Sequence, residues 1–170
     1  MRLSINACAF LMTLLAISMG TAEEPKAKLP ARFAAVLDNA DSVELYSIDP
    51  FVKFDKKDPA TLHGWKVLGK TAVAEAATRQ KLVAALKSSV EEGDLGKSAF
   101  CFIPRHALRV VRARTVTDFV LCFECGYLEI HSGQATPSKL LMGGTQQAAF
   151  DEVLAAAKVP LAPKKAKVEE

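Results

Sequence analysis

The side chains best suited to chemistry in this 170-residue chain are concentrated between residues 99 and 131. Cys101 and His106 begin the stretch, and Cys122 and Cys125 follow with two residues between them. Thiolates and imidazoles at paired spacings are zinc ligands, and the sequence Cys-Phe-Glu-Cys-Gly is typical of a metal knuckle. One hypothesis is therefore a closed, structural zinc site formed by these three cysteines and the histidine.

The same cysteines support a second hypothesis, a disulfide from Cys101 to Cys122 or to Cys125. Residues three apart on a regular strand point to opposite faces, so Cys122 and Cys125 converge only if Gly126 or a bulge bends the chain. Disulfides also compete with zinc thiolates in exported proteins. We therefore expect a disulfide and a third, buried thiol, with zinc as the alternative. A thiol oxidoreductase is a third interpretation, but a Cys-x-x-Cys pair at a strand end lacks the helix N-terminus that lowers a thiol pKa.

Arginines are also frequent in this stretch, and they suggest a site for anions. Arg105, Arg109 and Arg112 are candidates for binding a carboxylate, a phosphate or a sulfated glycan. The reason is that guanidinium groups make bidentate contacts with such anions. The alternative is a solvated strand face on which acidic residues of neighbouring strands, such as Asp118 and Glu124, pair with the arginines.

The N-terminus has the layout of a cleavable signal peptide over residues 1–22. Arg2 supplies a positive charge, an apolar run follows, and Gly20 and Ala22 suit the small-residue cleavage site. The apolar run is shorter than the roughly 20 residues that a membrane-spanning helix needs. We expect cleavage after Ala22 and an exported chain, periplasmic or secreted, without a stable membrane span; an uncleaved N-terminal anchor is the alternative.

Composition favours a folded domain that is close to neutral. Half of the residues are hydrophobic and 24% are charged, which excludes the disordered and fibrous classes. The formal net charge of +3 creates no strong field, so no nucleic-acid partner is expected. Cleavage of the signal peptide removes Cys8 and leaves three cysteines, an odd number that fits one disulfide and one free thiol, an intermolecular bridge, or thiolates around a metal.

Hydrophobic periodicity predicts a single α+β domain over residues 30–160, with a mainly antiparallel sheet of four to five strands and helices packed on one face. Residues 23–29 are expected to form a flexible leader and residues 161–170 a disordered charged tail. Helices are predicted at residues 30–39, 76–93 and 146–159. Strands are predicted at residues 42–48, 65–73, 107–114, 118–125 and 127–131, with shorter extended pieces at 99–103 and 139–142.

Some local expectations bear on the candidate site. The strand at residues 118–125 is apolar on both faces, so it is expected at the centre of the sheet. Gly126 marks a bend or bulge after it. Asp49-Pro50 is expected to end the first strand, and His63 is interpreted as a loop residue rather than a ligand.

The pieces Cys101-Phe102-x-Pro104-Arg105-His106 and Cys122-Phe123-Glu124-Cys125, with the helix sequence Lys-Leu-Val-Ala-Ala-Leu, resemble those of small exported bacterial proteins of uncharacterised function. The resemblance covers roughly residues 60 to 160 and implies no activity, cofactor or catalytic residue. Together with the residues themselves it favours an exported, non-enzymatic domain. Its central stretch is then a disulfide-stabilised core or a ligand-binding surface for an anionic small molecule or an envelope glycan. A zinc-stabilised binding module is the alternative, and a thiol oxidoreductase of the cell envelope ranks third.

Overall fold

The computed structural model describes residues 28–53, 58–94, 96 and 100–163. The predicted signal peptide lies outside these residues, as do most of the predicted leader at 23–29 and most of the predicted tail at 161–170. Leu29, just before the first helix, is buried against the core.

The described residues contain three helices and seven strands. The helices are α1 (Ala31–Asp38), α2 (Ala76–Glu91) and α3 (Gln147–Ala156). The strands are β1 (Ser42–Lys53), β2 (Thr61–Leu62), β3 (Trp65–Ala72), β4 (His106–Arg112), β5 (Thr115–Cys122), β6 (Tyr127–Ser132) and β7 (Ser138–Leu141).

The strands form one antiparallel, curled sheet in the order β2-β3-β1-β4-β5-β6-β7. The α+β class and the antiparallel pairing agree with the prediction, but the sheet has seven strands rather than four to five. The short strands account for the difference. β2 has two residues and β7 has four, and segments of that length carry almost no periodic signal of their own.

Alternation along the strands separates two faces of the sheet. On β5, Phe119 and Leu121 join buried residues of all three helices in the main hydrophobic core. Each helix contributes apolar residues that are one turn apart, such as Phe150 and Leu154 of α3, and both of these side chains are fully buried. Burial of one such side chain contributes about 1.5–3 kcal/mol to folding.

The opposite face of the sheet carries Asp118 and Val120, and we call it the helix-free face because no described helix residue joins its hydrophobic cluster. That cluster is smaller and consists of Tyr46, Ile48, Leu62, Trp65, Ala107 and Val120, with Val67 and Phe102 packed against it.

Tight turns move two of the predicted strand ends. Ala113 and Arg114 have φ angles of 47° and 64°, so β4 ends at Arg112 and β5 already begins at Thr115. Left-handed backbone at two successive residues reverses the chain between antiparallel strands, and neither residue is the glycine or asparagine that usually signals such a turn. The predicted boundaries at residues 114 and 118 are therefore wrong.

The other end of β5 also differs from its prediction. β5 ends at Cys122, and Cys125 lies in the turn that follows. Gly126 in that turn has a φ of 73°, which confirms the predicted bend. Residues 100–103 do not form the extended piece predicted at 99–103, and residue 99 lies outside the described part.

β1 continues through Pro50 to Lys53 instead of ending at Asp49. The register between β1 and β3 shifts between Asp49 and Lys53, so Pro50 falls in an irregular part of the ladder. Proline is tolerated there because no ladder hydrogen bond requires its missing N–H.

Candidate functional site: a polar groove beside the disulfide

A disulfide joins Cys101 to Cys125, with the two Cα atoms 5.7 Å apart. Cys101 belongs to the loop before β4, and Cys125 belongs to the turn between β5 and β6. The bond therefore fastens that loop to the sheet end. Of the two pairings that the sequence left open, the structure contains this one.

Cys122 is the free, buried cysteine of the described residues. Its Sγ accepts a hydrogen bond from the backbone N–H of Cys125 at 3.2 Å. Burial raises the pKa of the Cys122 thiol. The group is thus mainly the neutral thiol at neutral pH, and a neutral thiol is a poor nucleophile.

His106 is the first residue of β4 and is only 2% exposed. Its Nε2 lies 2.8 Å from Oδ1 of Asp151 on α3, and its ring packs against Phe123 and Phe150 at centroid distances of 5.5 and 6.0 Å. Gln147 donates to the other Asp151 oxygen at 3.2 Å. The hydrogen bond from His106 is the main reason that the pKa of Asp151 is lowered, so this carboxylate stays ionised.

The structure does not assemble the predicted zinc site of Cys101, His106, Cys122 and Cys125. Two of the four sulfur and nitrogen ligands are bonded to each other in the disulfide. His106 pairs with Leu121 in the β4–β5 ladder, so its side chain is on the face opposite to that of the adjacent Cys122. Within the described part of the chain, no three His, Cys, Asp or Glu residues are arranged to hold a metal ion.

The three arginines predicted to bind anions do not share one surface. Arg105 donates to Glu124 Oε2 at 2.5 Å, and Arg112 donates to the backbone carbonyl of Ala35 at 3.0 Å. Arg109 makes a bidentate pair with Asp118. Arg109 and Arg112 are three residues apart on β4 and therefore point to opposite faces of the sheet.

A groove of about 530 Å³ opens where β4, the β5–β6 turn and α3 meet. Its polar lining consists of Arg105, His106, Glu124, Gln147 and Asp151, and its apolar lining of Phe123, Leu161 and Ala162. The groove therefore combines one guanidinium group with two carboxylates and an amide. The described residues that line it include no hydroxyl or thiol nucleophile. Its carboxylates, imidazole, guanidinium and amide can exchange hydrogen bonds with a polar ligand.

A second groove of about 530 Å³ lies between α1 and α2. Its charged groups already have partners within the domain. Arg79 donates to the carbonyl oxygens of Ala40 and Ala74, and Lys87 pairs with Asp38 at 2.6 Å. The charged groups of the groove beside the disulfide are paired as well, but two carboxylates, a guanidinium, an imidazole and an amide line it together, which makes it the better candidate site.

The helix-free face holds a polar cluster that sequence reasoning missed. His63 lies in the turn between β2 and β3, as expected for a loop residue, but its Nε2 is 2.8 Å from Oδ2 of Asp118. Its ring also stacks on His131, with centroids 3.6 Å apart. The available signal was the His63-Gly64 pair between apolar residues, a two-residue hairpin turn, and the single carboxylate of Asp118 in an otherwise apolar strand.

Comparison of the chain with protein-family models, with curated proteins and with solved structures finds no match. Among the described residues, no helix is long and apolar enough to cross a membrane.

Proposed function

We propose that this chain is an exported, non-enzymatic domain that binds a small polar ligand in the groove beside the disulfide. The observation that carries the proposal is the pair of His106 and Asp151 in the wall of that groove. The pair joins a buried imidazole on the sheet to a partly exposed carboxylate on α3.

Packing alone gives a poor account of His106. Its Nδ1 is buried and has no hydrogen-bond partner among the described residues. An unsatisfied buried polar atom costs about 1–3 kcal/mol, and an apolar side chain would fill the space between Phe123 and Phe150 without that cost. The imidazole is therefore better explained by its hydrogen bond to Asp151, which lowers the pKa of that carboxyl group and orients it at the groove.

The groove is also held in shape before any ligand arrives. The disulfide fastens the loop that precedes Arg105, and the aromatic contacts of His106 with Phe123 and Phe150 fix the start of β4 against α3. A preorganised site binds more tightly because less conformational freedom is lost on binding.

The charges in the groove favour a ligand that donates hydrogen bonds. Asp151 and Glu124 are acceptors, whereas the guanidinium of Arg105 is already paired with Glu124. Hydroxyl groups of a glycan or a ligand ammonium group would meet these acceptors directly. An anion, the other expected ligand, would meet the guanidinium of Arg105 beside the two negative charges of Glu124 and Asp151, which disfavour it.

Export is supported by the signal-peptide layout of residues 1–22 and is consistent with a disulfide, which persists in oxidising compartments. The periplasm or the cell exterior would supply both that redox environment and envelope glycans as ligands.

Binding can be tested on the purified mature chain by NMR titration with glucose, glucosamine and inorganic phosphate as probes. We expect glucosamine or glucose to shift backbone resonances around Arg105, Glu124 and Gln147. Asp151→Asn should abolish these shifts. The matched control is Glu152→Gln on the same helix, because Glu152 pairs with Lys81 and lies outside the groove.

Two results would contradict the proposal. One is the absence of any probe-induced shift around the groove. The other is binding that Asp151→Asn leaves intact. Phosphate binding that Arg105→Ala abolishes would instead support the anion as the ligand of this groove.

A further inference from the structure

The turn between β2 and β3 holds an imidazole at the end of a short hairpin. His63 and Gly64 have φ angles of 55° and 89°, and Leu62 pairs with Trp65 across them. This is a two-residue turn with both central residues in left-handed backbone, which His tolerates better than most side chains. We call residues 58–65 the hairpin tip.

His63 fastens the hairpin tip to distant strands of the helix-free face. Its Nε2 contacts Asp118 of β5 at 2.8 Å, and its ring lies nearly parallel to that of His131 of β6, at 14°. Asp118 and His131 are direct cross-strand partners. β1 and β4 separate the β2–β3 hairpin from β5 and β6 in the sheet. The hairpin tip therefore reaches Asp118 and His131 because the sheet curls over β1 and β4.

The hairpin tip covers much of the apolar cluster on this face. Leu62 and Trp65 of the tip pack in the cluster with residues of β1, β4 and β5, and Phe102 meets Trp65 edge-on at 6.1 Å. β2 is two residues long and pairs only with β3. So short an edge strand is held weakly by its backbone ladder, and the side-chain contacts of the tip decide whether it stays closed.

Charged groups from four strands surround the two stacked rings. Asp118 also accepts two hydrogen bonds from Arg109 of β4, at 2.7 and 2.9 Å. Glu129 of β6 lies 3.5 Å from Nε2 of His131 and 3.0 Å from Nζ of Lys139 on β7. Each carboxylate near the rings therefore already has a cation.

The remaining charged neighbours are balanced among themselves. Arg109 contacts the hydroxyl of Tyr46 on β1, which donates to Glu44, and Glu44 pairs with Lys70 of β3. Within the tip, Asp58 accepts the backbone N–H of Ala60. Glu44 therefore adds no unshared negative charge to the rings, and the Asp58 carboxylate is engaged by the backbone of the tip itself.

We propose that His63 and His131 form an acid-sensitive latch, which holds the hairpin tip closed while at most one ring is protonated and releases it when both are. One imidazolium can share the carboxylate of Asp118. Two would stand face to face with centroids 3.6 Å apart, and like charges at that distance repel strongly in a partly buried site.

The direction of the pH effect follows from His131. Burial, and then the neighbouring His63, lower the pKa of His131 in the closed tip. In the open tip this pKa returns toward the ordinary value of about 6.5. Protons therefore favour the open form, so closure is stable above about pH 6.5 and is lost progressively as the pH falls through the lowered pKa of His131. Release exposes the apolar cluster.

The chain contains its own reporter of this change, because Trp65 is its only tryptophan and is buried at the base of the tip. The emission of the mature chain should shift to longer wavelength and return fully when the pH is cycled between 8 and 4.5. Far-UV circular dichroism should stay constant, since the helices lie on the other face. The lower limit of pH 4.5 keeps Asp118, whose pKa is lowered, ionised.

Variants identify the groups responsible. His131→Gln should abolish the shift, and His63→Gly, which suits the left-handed backbone, should give a long-wavelength emission that is independent of pH. Glu152→Gln is the control, because the Glu152 side chain is exposed and belongs to α3, which packs on the other face of the sheet. It should retain the shift with the same midpoint.

The wild-type chain alone provides a second measurement, NMR titration of its three imidazoles. The latch requires that the pKa of His131 is below the ordinary value. It also requires that His131 titrates over the same pH range in which the emission of Trp65 changes. The latch is overturned if the emission does not depend on pH, if His131→Gln retains the transition, or if Glu152→Gln removes it.

Discussion

Replacement of Asp118 by asparagine tests the electrostatic account of the helix-free face. The Asp118 side chain is 4% exposed and accepts hydrogen bonds from Arg109 Nε and Nη2 and from His63. Asparagine has nearly the same shape and keeps one acceptor oxygen, but it has no charge. Asp118→Asn therefore leaves the packing intact and removes the charge that Arg109 needs.

Removing one member of a buried ion pair typically destabilises a protein by about 3–5 kcal/mol. The Arg109 side chain is 31% exposed, so water partly replaces the lost partner. We therefore expect Asp118→Asn to lower the free energy of unfolding at pH 7 by about 2–3 kcal/mol, which is at or below the lower limit of that range. The control is Asp38→Asn. Asp38 and Lys87 also pair, at 2.6 Å, but their side chains are 50% and 33% exposed, and we expect a loss of about 0.5 kcal/mol or less.

The same variant has a defined pH signature. Burial by itself raises the pKa of Asp118, but the hydrogen bonds from Arg109 and His63 outweigh burial and leave the pKa below its ordinary value. A carboxyl group with a lowered folded-state pKa stabilises the fold above its unfolded pKa of about 3.9, and this contribution is lost as the pH falls through the folded value. The difference between wild type and Asp118→Asn should therefore shrink below about pH 4.

Urea unfolding followed by far-UV circular dichroism at pH 7 and at pH 2.5, at constant ionic strength, measures both quantities. Other carboxylates titrate in the same range, but they do so in both proteins and cancel in the difference. The reasoning is refuted if Asp118→Asn costs no more than Asp38→Asn at pH 7, or if its cost is the same at both pH values.

Three further predictions concern the disulfide, the close approach of Gly93 to the backbone of Leu141, and the signal peptide. In the unreduced mature chain, the Cys122 thiol should be unreactive while the protein is folded and should become the one reactive thiol after unfolding. Two or more reactive thiols before reduction would contradict the Cys101–Cys125 pairing. Reduction of the disulfide should lower the free energy of unfolding, measured in urea, by about 3 kcal/mol for a loop of this length. Gly93→Ala should destabilise by about 1–3 kcal/mol in thermal unfolding, because a Cβ there would lie 2.8 Å from backbone atoms of Leu141. The control is Gly96→Ala, whose Cβ would meet, among the described residues, only the Asp94 side-chain oxygen at 3.4 Å. It should have a much smaller effect, and equal losses would refute the steric reason. Mass spectrometry of the exported protein should show an N-terminus directly after Ala22, and a retained signal peptide (residues 1–22) would contradict cleavage there.

Periodicity was sufficient to predict the helices. Pairs such as Phe33 and Leu37 of α1, or Phe150 and Leu154 of α3, are one turn apart and fully or almost fully buried, so the apolar stripe in the sequence is the buried stripe of the fold. The existence of the main strands was equally visible in the sequence. Their ends were not, because the turn at Ala113 uses left-handed residues that carry no turn signal.

The sequence predicted only some of the residues of the candidate site. Its Arg105 and His106 belong to the stretch that the sequence singled out, but Gln147 and Asp151 come from α3 and reach the groove only through the tertiary packing. Spacing along the chain cannot reveal a partner 45 residues away. The zinc hypothesis failed for a related reason, since it counted ligands along the chain without the ladder register that separates His106 from Cys122.

The alternation of β4 and β5 also makes the two proposed activities separable. His106 and Leu121 are paired and point to the face that packs against α3, whereas Arg109 and Asp118 are paired and point to the helix-free face. A ligand in the groove therefore contacts neither ring of the latch. Protonation of His131 can affect the groove only through a movement of the shared strands β4 and β5. Glucosamine or glucose binding measured at pH 7.5 should thus be the same in His131→Gln as in wild type. If the latch variant changed ligand affinity tenfold, the two faces would be coupled by about 1.4 kcal/mol, and a shift of β4 against β5 would have to carry that coupling.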